Sequence, residues 1–432
     1  NSHDPFARPW DRDPVREAAH ALPIAGQEPP RPRGQRNLVA WALGCSALLA
    51  VLVVGGGIWA WNHIQATNTA TAEVVELFRE LPGDVDRGVN LVSWRERVDA
   101  QRRRYEDGDF SGKTSTHGRA EVEIGRAYRL LDDPRQALRL LESAEGRLVG
   151  NPSSWRLYSE ALYERGLAHA AVGELEDAET SLRHAWKVRR DEFGAPPLLA
   201  IEAQVALGNV LAHRGSFDES LRVLRGAVEE VEKLDVLTAL DGQDEIAEAH
   251  SRLAHALLSQ WLGDRDTGPR LSQAEDHFER AIALRRQLGV AEGRKLASDL
   301  QDLGVVRQHR GALDAAAQLY VEALALERRC HAVDHLELAA TLELLGVLHA
   351  DRGHGAHARP LLVEAEAMLT RLGDPQKRAT ALQHILARLD REDRDFAASE
   401  AKLRAAIDAQ RAAFPNGSDE EIQYLNELAD LL

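Results

Sequence analysis

Leu303-Gly304-Val-Val-Arg-Gln-His-Arg-Gly311-Ala-Leu-Asp-Ala-Ala316-Ala-Gln-Leu-Tyr320-Val-Glu-Ala323 decides the fold. A small residue at Gly304 is followed by a turn glycine at Gly311, a second small residue at Ala316, a large one at Tyr320 and a third small one at Ala323. Small side chains at helical spacing mark where two helices approach closely, because a bulky Cβ substituent would hold the backbones apart. The glycine between them sits where the first helix must end and reverse, since it adopts the left-handed conformation of a C-terminal cap at little cost.

Outward from this stretch the same set recurs in seven units about 42 residues apart. The first small residues are Gly125, Gly166, Gly208, Ala254, Gly304, Gly346 and Ala387. The large residue, as Leu141, Leu182, Leu224, Tyr320, Leu362 and Leu403, is expected to fill the space toward the next hairpin, and Ala always stands three positions beyond it. The fourth unit keeps the second half as Ala274, Phe278 and Ala281, after an insertion of about eight residues that contains Trp261 to Gly268. Gly173, Gly215, Gly311 and Gly353 supply the turns of four units, Asp132-Asp133-Pro134 stands at that place in the first, and Arg394 stands there in the seventh. Such a period means stacked helical hairpins.

The pattern resembles the tetratricopeptide repeat in its longer, 42-residue form, over residues 117–417. The resemblance implies an all-α fold, a right-handed superhelical solenoid of helical hairpins that binds protein or peptide ligands, with the first helix of each hairpin lining the inner face. On that face Glu160, Glu202 and Glu248 occupy one position in three consecutive units and would stack as an acidic ladder. Tyr163, Asn209, His255 and Gln301 stand at neighbouring positions, so the groove would suit a basic peptide whose Lys or Arg pairs with carboxylates. A merely solvated inner face on an acidic protein is the alternative, and both stay open here.

The solenoid is expected to be preceded by a single transmembrane helix. Leu38 to Trp61 holds no charged residue, long enough for a helix to span a hydrocarbon core of about 30 Å. Trp41 lies near one end and Trp59 and Trp61 near the other, as at membrane interfaces. Arg31, Arg33 and Arg36 precede the run and the first charges after it are acidic, which puts the N-terminus in the cytoplasm and the repeats outside it. A cleaved signal peptide fits less well, because the run is too long and starts too late. Ala40, Gly44 and Ala47 form a small-residue face that could pair two copies, or simply reflect how common small residues are in membrane helices.

Residues 1–37 read as a disordered Pro-rich tail, 62–116 as a helical linker and cap, and 418–432 as a capping helix or a truncated eighth repeat with Ile422, Leu425, Leu428 and Leu432 on its apolar face. The order of segments is similar to the C-terminal part of bacterial transmembrane serine/threonine kinases, which would place a kinase domain before Asn1; a membrane-anchored binding protein without enzymatic activity and a membrane-bound winged-helix transcription regulator are the alternatives.

The chain carries no catalytic motif: no phosphate loop, nucleophile elbow or zinc-protease helix. A formal net charge of −16 with no basic stripe argues against nucleic acid as a partner. Cys45 and Cys330, the only cysteines, are not expected to pair. Cys330, His331 and His335 form one compact group of potential ligands and His349, His354 and His357 another, but the second straddles the turn at Gly353 and its linear spacing matches no standard ligand set, so no metal or cofactor is expected.

Overall fold

The structure, a computed structural model, describes residues 72–76, 78–79, 81, 91–108 and 114–432, the last stretch without 192–195, 236–237, 240–241, 265–267, 289–292, 331–333, 374–377 and 415–416. The expected tail and the membrane run 38–61 lie outside the described residues, and among the described residues no helix is long and apolar enough to cross a membrane.

A helix α1 (Leu91–Glu106) precedes the repeats. The hairpins are α2 (Thr114–Leu130) with α3 (Pro134–Leu148), α4 (Trp155–Val172) with α5 (Leu175–Asp191), and α6 (Pro197–His213) with α7 (Phe217–Val231). They continue as α8 (Gln243–Asp264) with α9 (Arg270–Leu288), α10 (Gly293–His309) with α11 (Leu313–Cys330), α12 (Leu336–Asp351) with α13 (Gly355–Leu372), and α14 (Arg378–Glu392) with α15 (Phe396–Ala413). A last helix, α16 (Asp419–Leu431), packs on α15. Each helix packs on the next along the chain, so burial is shared between neighbours rather than collected in one core.

The seam of each hairpin follows from the small residues. A Cβ on Gly208 would lie 2.4 Å from Leu224 Cγ, and one on Gly304 2.4 Å from Tyr320 Cε1. Gly166 and Leu182, and Gly346 and Leu362, meet in the same way at 2.6 Å and 2.7 Å. The large residue of these units therefore seats on the glycine of its own hairpin, and Leu182 and Tyr320 also share a cluster with residues of the next one, Leu207 and Leu342, as the spacing suggests. Two helices that touch over a glycine come close enough for the opposing Leu or Tyr to be fully buried, worth about 1.5–3 kcal/mol per side chain.

The turns follow local backbone chemistry. Gly173, Gly215, Gly311 and Gly353 take φ of 91°, 82°, 78° and 74°. In the first and seventh units Asp132 (φ 59°) and Arg394 (φ 63°) adopt the same left-handed conformation without being glycine. In both, an Asp follows at once and caps the second helix: Asp133 accepts from the Gln136 N–H at 3.3 Å, and Asp395 from that of Ala398 at 3.1 Å.

In the insertion of the fourth unit, Trp261 to Asp264 extend α8. α8 has 22 residues, and its extra turns carry Trp261 to His309 of the next hairpin, with ring centroids 5.0 Å apart. At the N-terminal side Val74, Phe78, Leu81, Trp94 and Val98 cover Ala120, Ile124 and Tyr128 of α2. At the C-terminal side Ser418 caps α16 by accepting from the Glu421 N–H at 3.1 Å. The face buried there is Tyr424 with Leu428, whereas Ile422, Leu425 and Leu432 of the expected face are exposed.

Candidate interaction groove

The ladder carboxylates do stand at equivalent places on α4, α6 and α8, but none is open. Glu160 is paired with Arg126 of α2, and Arg126 Nε also reaches Glu164 at 2.6 Å. Glu164 is almost fully buried and takes a second cation, Arg129, at 2.7 Å. Burial alone would raise the Glu164 pKa, but Arg129 and Arg126 hold it below the usual carboxylate range. Glu202 meets Arg189 at 2.8 Å, and there burial outweighs the guanidinium, so its pKa is raised. Glu248 accepts from Arg252 at 2.7 Å and Arg285 at 2.8 Å, which overcome its burial and hold its pKa at about 2. The expected row of open carboxylates is a row of ion pairs.

A second part of this face lies where α8, α9, α10 and α12 meet. A cavity of about 250 Å³ is lined there by Glu248, Ser251, Arg252 and His255 of α8, Arg285 of α9, Arg294, Lys295, Ser298 and Asp299 of α10, and Glu337 of α12. Its floor is a buried network. Arg285, 1 % exposed, faces Asp299 with Nε 2.7 Å from a carboxylate oxygen, and Ser251 donates to Asp299 at 2.6 Å. Burial pushes Asp299 up to about 6 despite Arg285 and Ser251. His255 Nε2 lies 3.0 Å from Asp302, and burial drives both toward their neutral forms, the histidine down to about 4 and the carboxyl up to about 7. The rim is charged and solvated: Lys295 bonds to Asp244 at 2.7 Å and Arg294 pairs with Glu337 at 3.1 Å. Such an arrangement fixes a polar surface and offers hydrogen-bond donors and acceptors of both signs.

Of the residues singled out in the sequence, Glu248 and His255 line this cavity. Tyr163 lies lower on the same face, half-buried with the Arg189 guanidinium 4.5 Å from its ring centre, and Glu160 lines a separate recess beside Arg79 and Arg119. Asn209 is half-buried on α6 outside the cavity, and Gln301 is turned to Thr341 of α12, to which it donates. The residues missed are Arg189 and Arg285. Both stand 23 positions after the first small residue of their unit once the insertion is allowed for, where the first, third and sixth units carry Leu148, Val231 and Leu369. The fifth and seventh units carry Glu327 and Gln410 there, so a repeat position that alternates between Leu or Val and a polar residue was the signal available.

The histidine groups separate. His331 lies outside the described residues, Cys330 ends α11, and His335 caps α12 by accepting from the Glu337 N–H at 3.3 Å. His349, His354 and His357 do converge, with ring centroids 5.6 to 6.3 Å apart around the turn at Gly353.

No protein-family model matches the chain, and no curated protein does. Solved structures do. A Rap protein complexed with Competence and Sporulation Factor is 14 % identical over 85 % of this chain and 98 % of its own, with a TM-score of 0.52. A signal transduction ATPase with a tetratricopeptide repeat sensor from Pyrococcus horikoshii is 14 % identical over 78 % of this chain and 49 % of its own, with a TM-score of 0.54. BtubC from P. vanneervenii is 18 % identical over 56 % of this chain and 91 % of its own, with a TM-score of 0.46. The fold of this chain is thus the tetratricopeptide-like solenoid of helical hairpins.

Proposed function

We propose that the repeats are a docking module for a protein or peptide segment, seated on the first-helix face of the fourth to sixth hairpins. The observation that carries this reading is the cavity over Arg285 and Asp299, whose floor is buried and ion-paired and whose rim is solvated. A buried, internally neutralised floor holds the rim side chains in place without sequestering them, which suits recognition by exchange of ion pairs. Because Glu248 and Glu337 are already held by arginines, a purely basic ligand must displace Arg252, Arg285 or Arg294. A segment carrying both signs can take up Lys295 and Glu337 together, and is the better fit.

A photo-crosslinking side chain placed at Ser298, inside the cavity, should give a discrete adduct with a protein partner in cells that express the full chain. The same side chain at Arg280, exposed on α9 and outside the cavity lining, should not. Equal labelling at both sites, or none at Ser298, would sink the reading. We propose also that residues 38–61 anchor this module in a membrane, which the length of the uncharged run supports. Retention of the chain in the membrane pellet after alkaline carbonate washing, and release on deleting 38–61, is the outcome expected.

A further inference from the structure

We propose that His349, His354 and His357 form a binding site for a divalent transition ion of the zinc class, clamped across the turn of the sixth hairpin. The three histidines come from the end of α12, the residue after the turn glycine and the first turn of α13. Their linear spacing hides them, because the reversal at Gly353 (φ 74°) is what brings them to one point. Ring centroids stand 5.9, 5.6 and 6.3 Å apart. A metal bound at about 2.0–2.1 Å by a ring nitrogen lies roughly 3 Å from the ring centre, so two rings on one tetrahedral ion stand about 5 Å apart. As they stand the ring nitrogens of the three histidines do not all lie within 4.8 Å of one another, so the exposed rings of His354 and His357 must turn toward His349 to close on an ion.

A second observation shows that the backbone permits it. His349, His354 and His357 stand 3, 8 and 11 positions after Gly346. The same three positions after Gly166 hold His169, Glu174 and Asp177, and there the three candidate ligand atoms all lie within 4.8 Å of one another. The turn of this repeat therefore converges these positions, and in the sixth hairpin all three are imidazoles, the ligand type that suits zinc, copper and nickel over magnesium or calcium. A third observation points the same way. His349 Nδ1 is buried and has no hydrogen-bond partner among the described residues, whereas His354 and His357 are exposed and open to an incoming ion. The nearby cations are already neutralised: Arg352 pairs with Asp314 at 2.6 Å and Arg388 with Asp351 at 2.9 Å. Three protein ligands leave a fourth position for water or for a group from another molecule.

The inference is independent of the docking groove. The full chain, stripped with a chelator, is titrated with zinc chloride by calorimetry and with cobalt(II) by visible absorption. We expect one site with the intense bands of four-coordinate cobalt, and its affinity should fall by more than about 100-fold in His354→Gln/His357→Gln, since even outer-shell partners of a metal are worth 10–100-fold. Both substituted side chains are exposed, so circular dichroism should be unchanged. Glu174→Gln/Asp177→Asn should bind as the unaltered chain does. Equal stoichiometry and affinity in the histidine variant overturns the proposal. So does loss of the site in the Glu174→Gln/Asp177→Asn variant, which would move the ion to the second hairpin.

Discussion

Asp302 is a half-buried carboxylic acid two residues before the glycine on which Tyr320 seats. Its pKa of about 7 comes from burial, offset in part by Arg252, and lies well above the unfolded value of 3.8. The folded chain therefore holds a proton there that the unfolded chain has lost, and the stability contributed by the neutral acid disappears as pH rises through the window between these values. Its partner His255 acts in the opposite sense, because a histidine held down at about 4 by burial and by Arg252 loses stability as pH falls from 6.5. Other ionisable groups in and around this cluster are Glu248, Arg285 and Asp299, with Tyr320 beneath. Asp302→Asn copies the neutral acid and leaves the histidine alone. In urea unfolding the variant's advantage over the unaltered chain should already be present at pH 5 and be larger by about 1 kcal/mol or more at pH 8, a modest share of what a shift of this size corresponds to. A stability difference that is the same at both pH values would show that Asp302 is ionised throughout.

At the scale of the element, the two hairpins without a turn glycine test how local chemistry sets the turn. A left-handed conformation costs an ordinary residue about 1–2 kcal/mol, and the Asp cap that follows returns about 1 kcal/mol. Arg394→Gly should therefore raise stability by about 1 kcal/mol, and Asp395→Ala should lower it by a similar amount, both read from the midpoint of chemical unfolding. An unchanged midpoint in Arg394→Gly would mean that its backbone carries no strain. These hairpins also show what was legible in the sequence. The small residues, the turn glycines and the terminal cap at Ser418 report contacts within about one unit, and such contacts leave their mark at fixed spacings. The arginine partners of Glu160, Glu202 and Glu248 were not legible as a set, because each comes from a different place: α2, α5, and both α8 and α9. The inward face of α16 was misjudged for a related reason. Leu428 of the expected face does pack inward, but its partner there is Tyr424 and not Ile422 or Leu425, and only the position of α15 selects between them.

For the repeat unit as a whole, stability should be a sum of hairpin and neighbour terms, since each helix packs mainly on those next to it in the chain. The terms are unequal. The clusters built on α6 to α11 and on α11 to α14 are broad, with Phe278, Leu300, Tyr320, Leu342 and Leu362 fully buried. α16 buries Tyr424 and little else, and exposes Ile422 on its other side. Opening should therefore start at the C-terminal helix and move inward, because removing an end unit breaks one interface and removing a central one breaks two. Amide exchange followed by mass spectrometry should show protection rising from α16 through α15 and α14 to a plateau over α8 to α12. The groove on α8 and α10 would then sit in the most rigid part of the molecule, where the side chains of a recognition surface lose least freedom on binding. Uniform protection along the repeats would instead mean a single cooperative unit, and the groove could not be ascribed to a locally stable platform.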